Sequence, residues 1–175
     1  MALREVLQFP DERLRRVSKP LEHVDDRIRE LARDMCDVMY DEPGIGLAAP
    51  QLGEAIRLVV VDTEWMEEDA ERNPLVLVNP EIVEAEGKLV FTEGCLSVPD
   101  FQAEVERAEH VLLRATDLEG ETLEIRCEGL QAVCFQHEID HLDGKLFIDR
   151  ISRLKRSRYV LKRKKQLAAE REEAG

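Results

Sequence analysis

The pattern of apolar residues predicts an α+β fold, in which mostly antiparallel strands pack around one central helix with the sequence HEIDH, and a further helix lies toward each end. Short apolar or alternating segments separated by turn residues are typical of antiparallel strands. Helical periodicity is found in three other stretches of the chain. A length of 175 residues suits one domain with a proper core, and we expect residues 1–175 to form it.

The first helix is predicted to begin at Asp25 or Asp26, since either side chain can cap it. Its apolar residues fall on one stripe, and Pro43 ends it. The small residues of GIGLAAPQ (44–51) then indicate a loop. The apolar run IRLVVVD (56–62) predicts a strand that follows this loop.

The middle of the chain predicts several more strands after an acidic, exposed loop that begins EWMEED. Residues 75–91 are expected to form short strands with turns at 79–80 and 86–87, where Asn-Pro and Glu-Gly occur. Residues 104–117 and 122–129 are expected to form two further strands, joined by a Leu-Glu-Gly turn.

Helical spacing returns in residues 130–142, and a last helix is predicted for residues 150–169. Residues 150–165 contain nine lysines and arginines and no acid, although the net charge of the whole chain is −13. The net charge of the rest of the chain is therefore −22. The basic helix is either a solvated element or a docking surface for RNA phosphates.

Composition argues against several classes of protein. A net charge of −13 argues against wholesale nucleic-acid binding, and no window approaches the ~20 apolar residues that cross a membrane. The N-terminal segment has charges within its apolar run, unlike a secretory signal, so we expect a cytoplasmic protein. Its four cysteines are then expected to be free thiols, and none is paired at CxxC spacing.

The sequence HEIDH places His137 and His141 one helical turn apart, with Glu138 beside the first. Two imidazoles at this spacing can reach one metal ion, and the glutamate can then handle the proton of a water. The alternative is that these are ordinary polar residues on a solvated helix face. The preceding residues LQAVCF favour the metal, because they indicate a core helix in which an unliganded histidine pair would be costly.

A catalytic metal site of this kind needs a third protein ligand and one open position. Cys134 lies on the correct helix face, but it precedes the second histidine by two turns, about 10 Å along the axis, which suits tetrahedral geometry badly. Cys95, in TEGCLSVP, is better placed, since a strand end can turn a thiolate toward a neighbouring element. We expect His23 and His110 to be surface or strand residues.

Three segments carry a family resemblance: GIGLAAPQ (44–51), EGCLS (93–97) and QHEIDHLDG (136–144). In this order and at these separations they resemble the three signature motifs of the peptide deformylases. The opening VLQFPDERLRRVSKP (6–20) is similar to the N-terminal segment of that family. The likeness extends over nearly the whole chain. It implies one catalytic domain that removes the formyl group from the N-terminal formyl-methionine of new proteins and releases formate.

The resemblance implies a metal centre and an acid–base residue. Cys95, His137 and His141 would hold the ion, which is usually Fe(II), although Zn(II), Ni(II) or Co(II) can occupy the site. Glu138 would accept a proton as the formyl carbon is attacked, and would then deliver it to the leaving amine.

The resemblance also implies how the substrate is held. The Gln51 amide and the Leu96 backbone N–H would bind the developing oxyanion. Gly46 would approach the substrate through its backbone, as no Cβ intervenes. From the helix spacing we expect the methionine side chain to lie against four residues that could also be simple core: Ile45, Leu130, Val133 and Cys134.

Glu93 and Asp140 are candidates for orienting the metal ligands, or else are solvated or capping carboxylates. Near Gln102 many family members carry arginine, so no substrate contact is carried over to this position. The expected partners are formyl-methionyl nascent peptides and, through the basic helix, the ribosome, with no membrane. Two alternatives to a deformylase are a general HExxH metallopeptidase and a non-catalytic relative whose metal is structural or lost.

Overall fold

A computed structural model describes residues 3–175 of the chain. It contains three helices: α1 (Asp26–Asp41), α2 (Gly129–Leu142) and α3 (Arg153–Ala174). Asp25 caps α1, since its side chain accepts a hydrogen bond from the backbone N–H of Ile28 at 3.0 Å. Within the described residues, no helix combines the length and the apolar character needed to cross a lipid bilayer.

Within residues 3–175, seven strands accompany these helices: β1 (Gly46–Ala48), β2 (Leu58–Val61), β3 (Leu75–Glu86), β4 (Leu89–Cys95), β5 (Val98–Arg107), β6 (His110–Thr116) and β7 (Thr122–Glu128). Five of them form an antiparallel sheet in the order β1-β2-β3-β6-β7, and β4 with β5 forms a separate hairpin. Strand β1 lies within the segment that was expected to be a loop. The predicted α+β class, with mostly antiparallel strands, is confirmed.

Strand β2 lies in the middle of the core, because both of its faces are covered. Leu58 and Val60 pack with residues of α1, whereas Val59 and Val61 pack with residues of α2. Side chains alternate between the two faces of a strand, so a strand between two helices must be apolar throughout. This explains the unbroken run LVVV, whose four residues are at most 1% exposed.

A separate apolar cluster joins the β4–β5 hairpin to the C-terminal part of the chain. Val98 and Val105 of β5 belong to this cluster together with Phe147, in a 3-10 turn, and Tyr159, on α3. The rings of Phe101 and Tyr159 are stacked, with centroids 4.7 Å apart. Helix α3 is therefore anchored on the hairpin by its buried side.

Asn79 and Pro80, predicted to form a turn, lie instead within β3. Asn79 has a φ of +52°, and the pairing of β3 with β6 shifts register between Val78 and Glu81, which indicates a bulge. Asparagine tolerates this backbone conformation, and proline within a strand is found at bulges. The Asn79 side chain binds the backbone N–H and carbonyl of Leu21, so a distant segment stabilises the bulge.

Residues 104–117, predicted as one strand, are divided between the two sheets. Strand β5 ends at Arg107, and β6 begins at His110. Between them, the side-chain amide of Gln136 accepts a hydrogen bond from the N–H of Ala108 at 3.0 Å and donates one to its carbonyl at 2.8 Å. Because a side chain satisfies both backbone groups, the chain can leave one sheet and enter the other.

The last helix does not have the predicted bounds of 150 and 169. It begins at Arg153, because the side chain of Ser152 caps it, and it continues to Ala174. Arg150 lies in the preceding 3-10 turn, where its guanidinium binds the Asp140 carboxylate at 2.6 and 2.8 Å. The cation at position 150 is therefore directed toward α2.

Candidate metal centre

Cys95, at the end of β4, meets the two histidines of α2. Its Sγ atom lies 3.3 Å from Nε2 of His141, and the ring centroids of His137 and His141 are 5.0 Å apart. One ligand atom from each of these three residues lies within 4.8 Å of the others. The other thiol near the site, Cys134, faces the carbonyl of Ile45 at 3.6 Å. The structure therefore brings the predicted trio together and leaves Cys134 outside it.

Glu93 contacts one of the two imidazoles. It precedes Cys95 by two residues on β4, and both side chains contact histidines of α2. An oxygen of Glu93 lies 2.8 Å from Nδ1 of His137. An ionised carboxylate can only accept a hydrogen bond, so Nδ1 carries a proton and Nε2 is the atom left to bind a metal. Burial lowers the pKa of His137, but the contacts with Cys95 and Glu93 outweigh it and hold the pKa well above its ordinary value, so a metal ion would displace a proton from Nε2.

Arg107 keeps Glu93 ionised. Its guanidinium donates two hydrogen bonds to Glu93, at 2.7 and 2.8 Å, and a third to Asp140 at 2.7 Å. Burial alone raises the pKa of Glu93, but the hydrogen bonds from Arg107 and His137 outweigh it and hold the pKa below its ordinary value. Asp140 binds Arg107 and Arg150 rather than an imidazole, so its effect on the site is indirect.

Arg107 was not predicted from the sequence, although a signal was available. Val105 and Arg107 are two residues apart on β5 and share a face, on which they are 1% and 4% exposed. An arginine in register with an inward-facing valine is rarely buried unless it is paired. Its partner Glu93 is on the other strand of the hairpin, β4, within a motif already singled out.

Glu138 is buried beside the three candidate ligands. Its Oε1 lies 3.7 Å from Nε2 of His137, and its Oε2 is buried and has no hydrogen-bond partner within the described part of the chain. Burial raises the pKa of Glu138 to about 7. A carboxyl group that titrates near neutrality can both accept a proton and return it.

The donor set fits a divalent metal ion. A thiolate and two imidazoles are ligands that transition metals prefer, and three protein ligands leave a position for water or substrate. Burial lowers the pKa of His141 well below its ordinary value, which keeps the ring in the neutral form that metal binding requires. The unpartnered oxygen of Glu138 lies next to this set. Cys95, His137 and His141 could therefore hold an ion.

Gln51 and Leu96 lie on the same side of the cavity as the thiol. Gln51 is 1% exposed, and its side-chain oxygen accepts a hydrogen bond from the N–H of Ala48 at 2.9 Å. This contact directs its amide nitrogen toward Ser97 Oγ, at 3.0 Å, and Cys95 Sγ, at 3.7 Å. Leu96 lines the cavity directly after the thiol. The Gln51 amide, a hydrogen-bond donor, is thus placed next to the candidate metal centre, and Leu96 lies beside the thiol.

A cavity of about 710 Å³ opens beside these residues. Leu130 lies at its mouth and is 36% exposed, whereas Val133 is buried in its wall, and Gln102 also lines it. Its other apolar lining, which was not predicted from the sequence, includes Met66, Phe91 and Phe101. All four residues expected to contact the methionine side chain line this cavity: Ile45, Leu130, Val133 and Cys134.

Gly46 lines the cavity and also lies against α2. A Cβ at this position would lie 2.7 Å from Sγ of Cys134 and 3.1 Å from Cγ of Glu138, and real Cβ atoms do not approach as closely as the first distance. Glycine is therefore required for β1 to pack against the helix. From the sequence, this glycine was related only to the substrate, and packing against Glu138 is a second reason for it.

The remaining histidines and cysteines lie away from this centre. His23 and His110 are exposed, as expected. Cys36 in α1 and Cys127 in β7 are free thiols, and burial raises the pKa of each to about 11. These thiols are therefore protonated at neutral pH and make poor ligands or nucleophiles.

Comparison with known proteins tests the resemblance seen in the motifs. The family model for polypeptide deformylase matches residues 3–157. A peptide deformylase from Alkalilimnicola ehrlichii is 56% identical over 158 residues, which cover 90% of this chain and 87% of that protein. Another from Bradyrhizobium diazoefficiens is 50% identical over 176 residues and covers 99% of this chain and 100% of that protein.

Solved structures agree with these relatives. A peptide deformylase from Legionella pneumophila has a TM-score of 0.86 and 48% identity, covering 96% of this chain and 98% of that chain. A peptide deformylase from Synechococcus elongatus in complex with actinonin has a TM-score of 0.85 and 40% identity, covering 91% and 87%. The resemblance predicted from the three motifs is confirmed. The chain belongs to the polypeptide deformylase family, whose members are enzymes that remove the N-formyl group from nascent chains.

Proposed function

We propose that the cavity beside Cys95 is the site at which this chain hydrolyses the formyl amide of N-terminal formyl-methionine and releases formate. The observation that carries this proposal is the convergence of a thiol and two imidazoles next to the buried carboxyl group of Glu138. We also propose that residues 1–175 act as one catalytic domain in the cytoplasm, where nascent chains emerge.

The acid–base chemistry is assigned to one residue. A divalent ion bound to Cys95, His137 and His141 would lower the pKa of water and polarise the formyl oxygen. Glu138 accepts the proton of the attacking water, for which its raised pKa suits it, and then donates that proton to the leaving amine. Glu93 holds the ring of His137 in orientation through the 2.8 Å contact.

The negative charge that develops on the formyl oxygen needs donors that are already in place. The Gln51 amide, whose orientation is fixed by the N–H of Ala48, and the backbone N–H of Leu96 are assigned this role. Loss of one such donor costs about 3 kcal/mol of transition-state stabilisation. Gly46 leaves room for the peptide backbone along the cavity, because it has no side chain.

Formate release from formyl-Met-Ala-Ser tests the proposed function, with casein cleavage measured in parallel. We expect formate release without casein cleavage. Cleavage of casein alone would favour a general metallopeptidase. No activity on either substrate would favour a non-catalytic relative.

We propose Fe(II) as the native ion, with Zn(II), Ni(II) or Co(II) able to replace it. The proposal is supported by the donor set, since a thiolate and two imidazoles suit several divalent ions, and by the family to which the chain belongs. Metal analysis of protein purified without oxygen tests it. Stoichiometric zinc under those conditions would contradict the assignment.

The methionine side chain is assigned to the wall formed by Ile45, Leu130, Val133 and Cys134. Replacing Val133 with tryptophan is expected to raise KM for formyl-Met peptides at least about tenfold, because the larger ring fills the space that the thioether occupies. A formyl-Ala peptide should be affected less, since its side chain is shorter. Steady-state formate release measures both. Val83→Trp, at an exposed position of β3, is the matched control, and an unchanged KM would remove Val133 from the pocket.

We propose that the exposed basic face of α3 docks on ribosomal RNA. Lys155, Arg158 and Lys165 are exposed and, at spacings of three and seven residues, lie on one side of the helix. The rest of the chain is acidic. Phosphates would therefore attract this face while the body of the protein is repelled, which orients the enzyme on the ribosome.

Co-sedimentation with ribosomes at low salt tests this docking. Changing Lys155, Arg158 and Lys165 to glutamine is expected to reduce the bound fraction at least about tenfold, since each lost phosphate contact weakens binding. A second variant carries the same charge change elsewhere, at three exposed residues: Arg16, Arg33 and Lys88. Equal sedimentation of the two variants would contradict the proposal.

A further inference from the structure

Arg163 differs from its neighbours on the basic helix because it is 5% exposed. Its guanidinium donates a hydrogen bond to the carbonyl of Phe9 at 2.8 Å and another to the side-chain oxygen of Gln8 at 3.2 Å. Among the described residues, both bonded partners are neutral oxygens. Buried charges are usually paired with an opposite charge. The contacts that compensate the burial of this cation are therefore those with the N-terminal segment.

That N-terminal segment lies across the two elements of the proposed oxyanion site. The N–H of Leu7 donates to the carbonyl of Gln51 at 2.8 Å, and the N–H of Phe9 donates to the carbonyl of Ser97 at 2.7 Å. Gln51 carries one oxyanion donor, and Ser97 directly follows Leu96, which carries the other. The segment is therefore hydrogen-bonded both to the residue that carries the first donor and to the residue that follows the second.

A second residue on the same side of α3 supports this arrangement. Tyr159 precedes Arg163 by one helical turn, so the two share a face. Its ring lies 5.8 Å from that of Phe9 and 4.7 Å from that of Phe101, and its hydroxyl donates to the carbonyl of Pro99 at 3.4 Å. The buried face of α3 therefore contacts the N-terminal segment and β5 together.

We propose that Arg163 is a positioning residue for deformylation, an inference that rests on the proposed function. By binding Gln8 and Phe9, it holds the segment that fixes the backbone of Gln51 and Ser97. Donors that stabilise an oxyanion act only when they are already at hydrogen-bond distance from it. The oxyanion develops in the transition state, so misplaced donors lower kcat and leave KM nearly unchanged.

Steady-state kinetics of Arg163→Met with formyl-Met-Ala-Ser tests this role. We expect kcat to fall about five- to tenfold and KM to stay within about twofold. Arg163→Lys should retain an intermediate kcat, because one ammonium can replace one of the two hydrogen bonds. Arg33→Met, which removes an exposed guanidinium from α1, should leave both constants unchanged.

Amide hydrogen exchange gives a readout that depends on neither metal nor turnover. The N–H groups of Leu7 and Phe9 are expected to exchange at least about tenfold faster in Arg163→Met, because their segment is no longer held. Should Arg163→Met fail to fold, Gln8→Ala removes one acceptor at an exposed position, and its kcat is expected to fall about two- to threefold.

An unchanged kcat in folded Arg163→Met would overturn the proposal, as would a rise in KM alone. If that variant does not fold, an unchanged kcat in both Arg163→Lys and Gln8→Ala would overturn it. Failure of the proposed function itself would be recognised separately, because the unmodified chain, with its metal bound, would then release no formate from formyl-Met-Ala-Ser.

Discussion

Replacing Glu138 with glutamine is expected to lower kcat for formyl-Met-Ala-Ser by about 100- to 10,000-fold, the contribution typical of a positioned acid–base residue. The amide keeps the shape of the side chain, but it can neither accept the proton of the attacking water nor return it to the leaving amine. KM should change little, because the carboxyl group acts in the transition state. Formate release at saturating substrate measures the effect.

The Glu138→Gln variant is expected to fold and to retain its metal. In the metal-free chain, burial raises the pKa of Glu138 from its ordinary value of 4.5 to about 7, so the native state disfavours the ionised form and loses stability as pH rises from 4.5 through about 7. A neutral amide avoids this penalty. Glu119→Gln, in the exposed β6–β7 turn, is the matched control. A Glu138→Gln variant that keeps more than about a tenth of kcat at full metal content would contradict its role.

Replacing Cys95 with alanine is expected to abolish stoichiometric metal binding and to lower formate release at least about a hundredfold. Two imidazoles alone make an incomplete site, and the Lewis acidity of the ion is worth several kcal/mol in the transition state. Elemental analysis and formate release, measured on the same preparation, test this expectation.

A matched cysteine variant separates loss of a ligand from loss of a thiol. Cys36→Ala, on α1, should keep one metal per chain and full activity, since Cys36 lies outside the metal centre. Adding Zn(II) after chelation should restore metal content in the unmodified chain but not in Cys95→Ala. Full metal content in Cys95→Ala would exclude Cys95 as a required ligand.

The histidine pair could be predicted because its geometry is local. In a helix, a spacing of four residues by itself places His137 and His141 on one face, whatever surrounds them. The unbroken apolar run of β2 is also local, so its four residues could be predicted to form a strand. The preference for Cys95 over Cys134 used the rise of a helix and the position of Cys95 at a strand end, and the structure places Cys95 Sγ 3.3 Å from His141.

Two errors concern positions whose partners are distant in the chain. Residues 104–117 were expected to form one strand because nothing near Ala108 shows that Gln136 will bind its backbone. The bulge at Asn79 depends in the same way on Leu21. In both cases a side chain from another element satisfies backbone groups that a local pattern assigns to a regular ladder or a turn.

The sequence by itself determined the α+β class, the helix with two imidazoles and the family, because periodicity and motif order are properties of the chain alone. Only the tertiary structure decided that Arg107 keeps Glu93 ionised next to His137, and that α3 holds the N-terminal segment through Arg163. These contacts join residues far apart along the chain. Their energies depend on burial and distance, which no spacing in the sequence specifies.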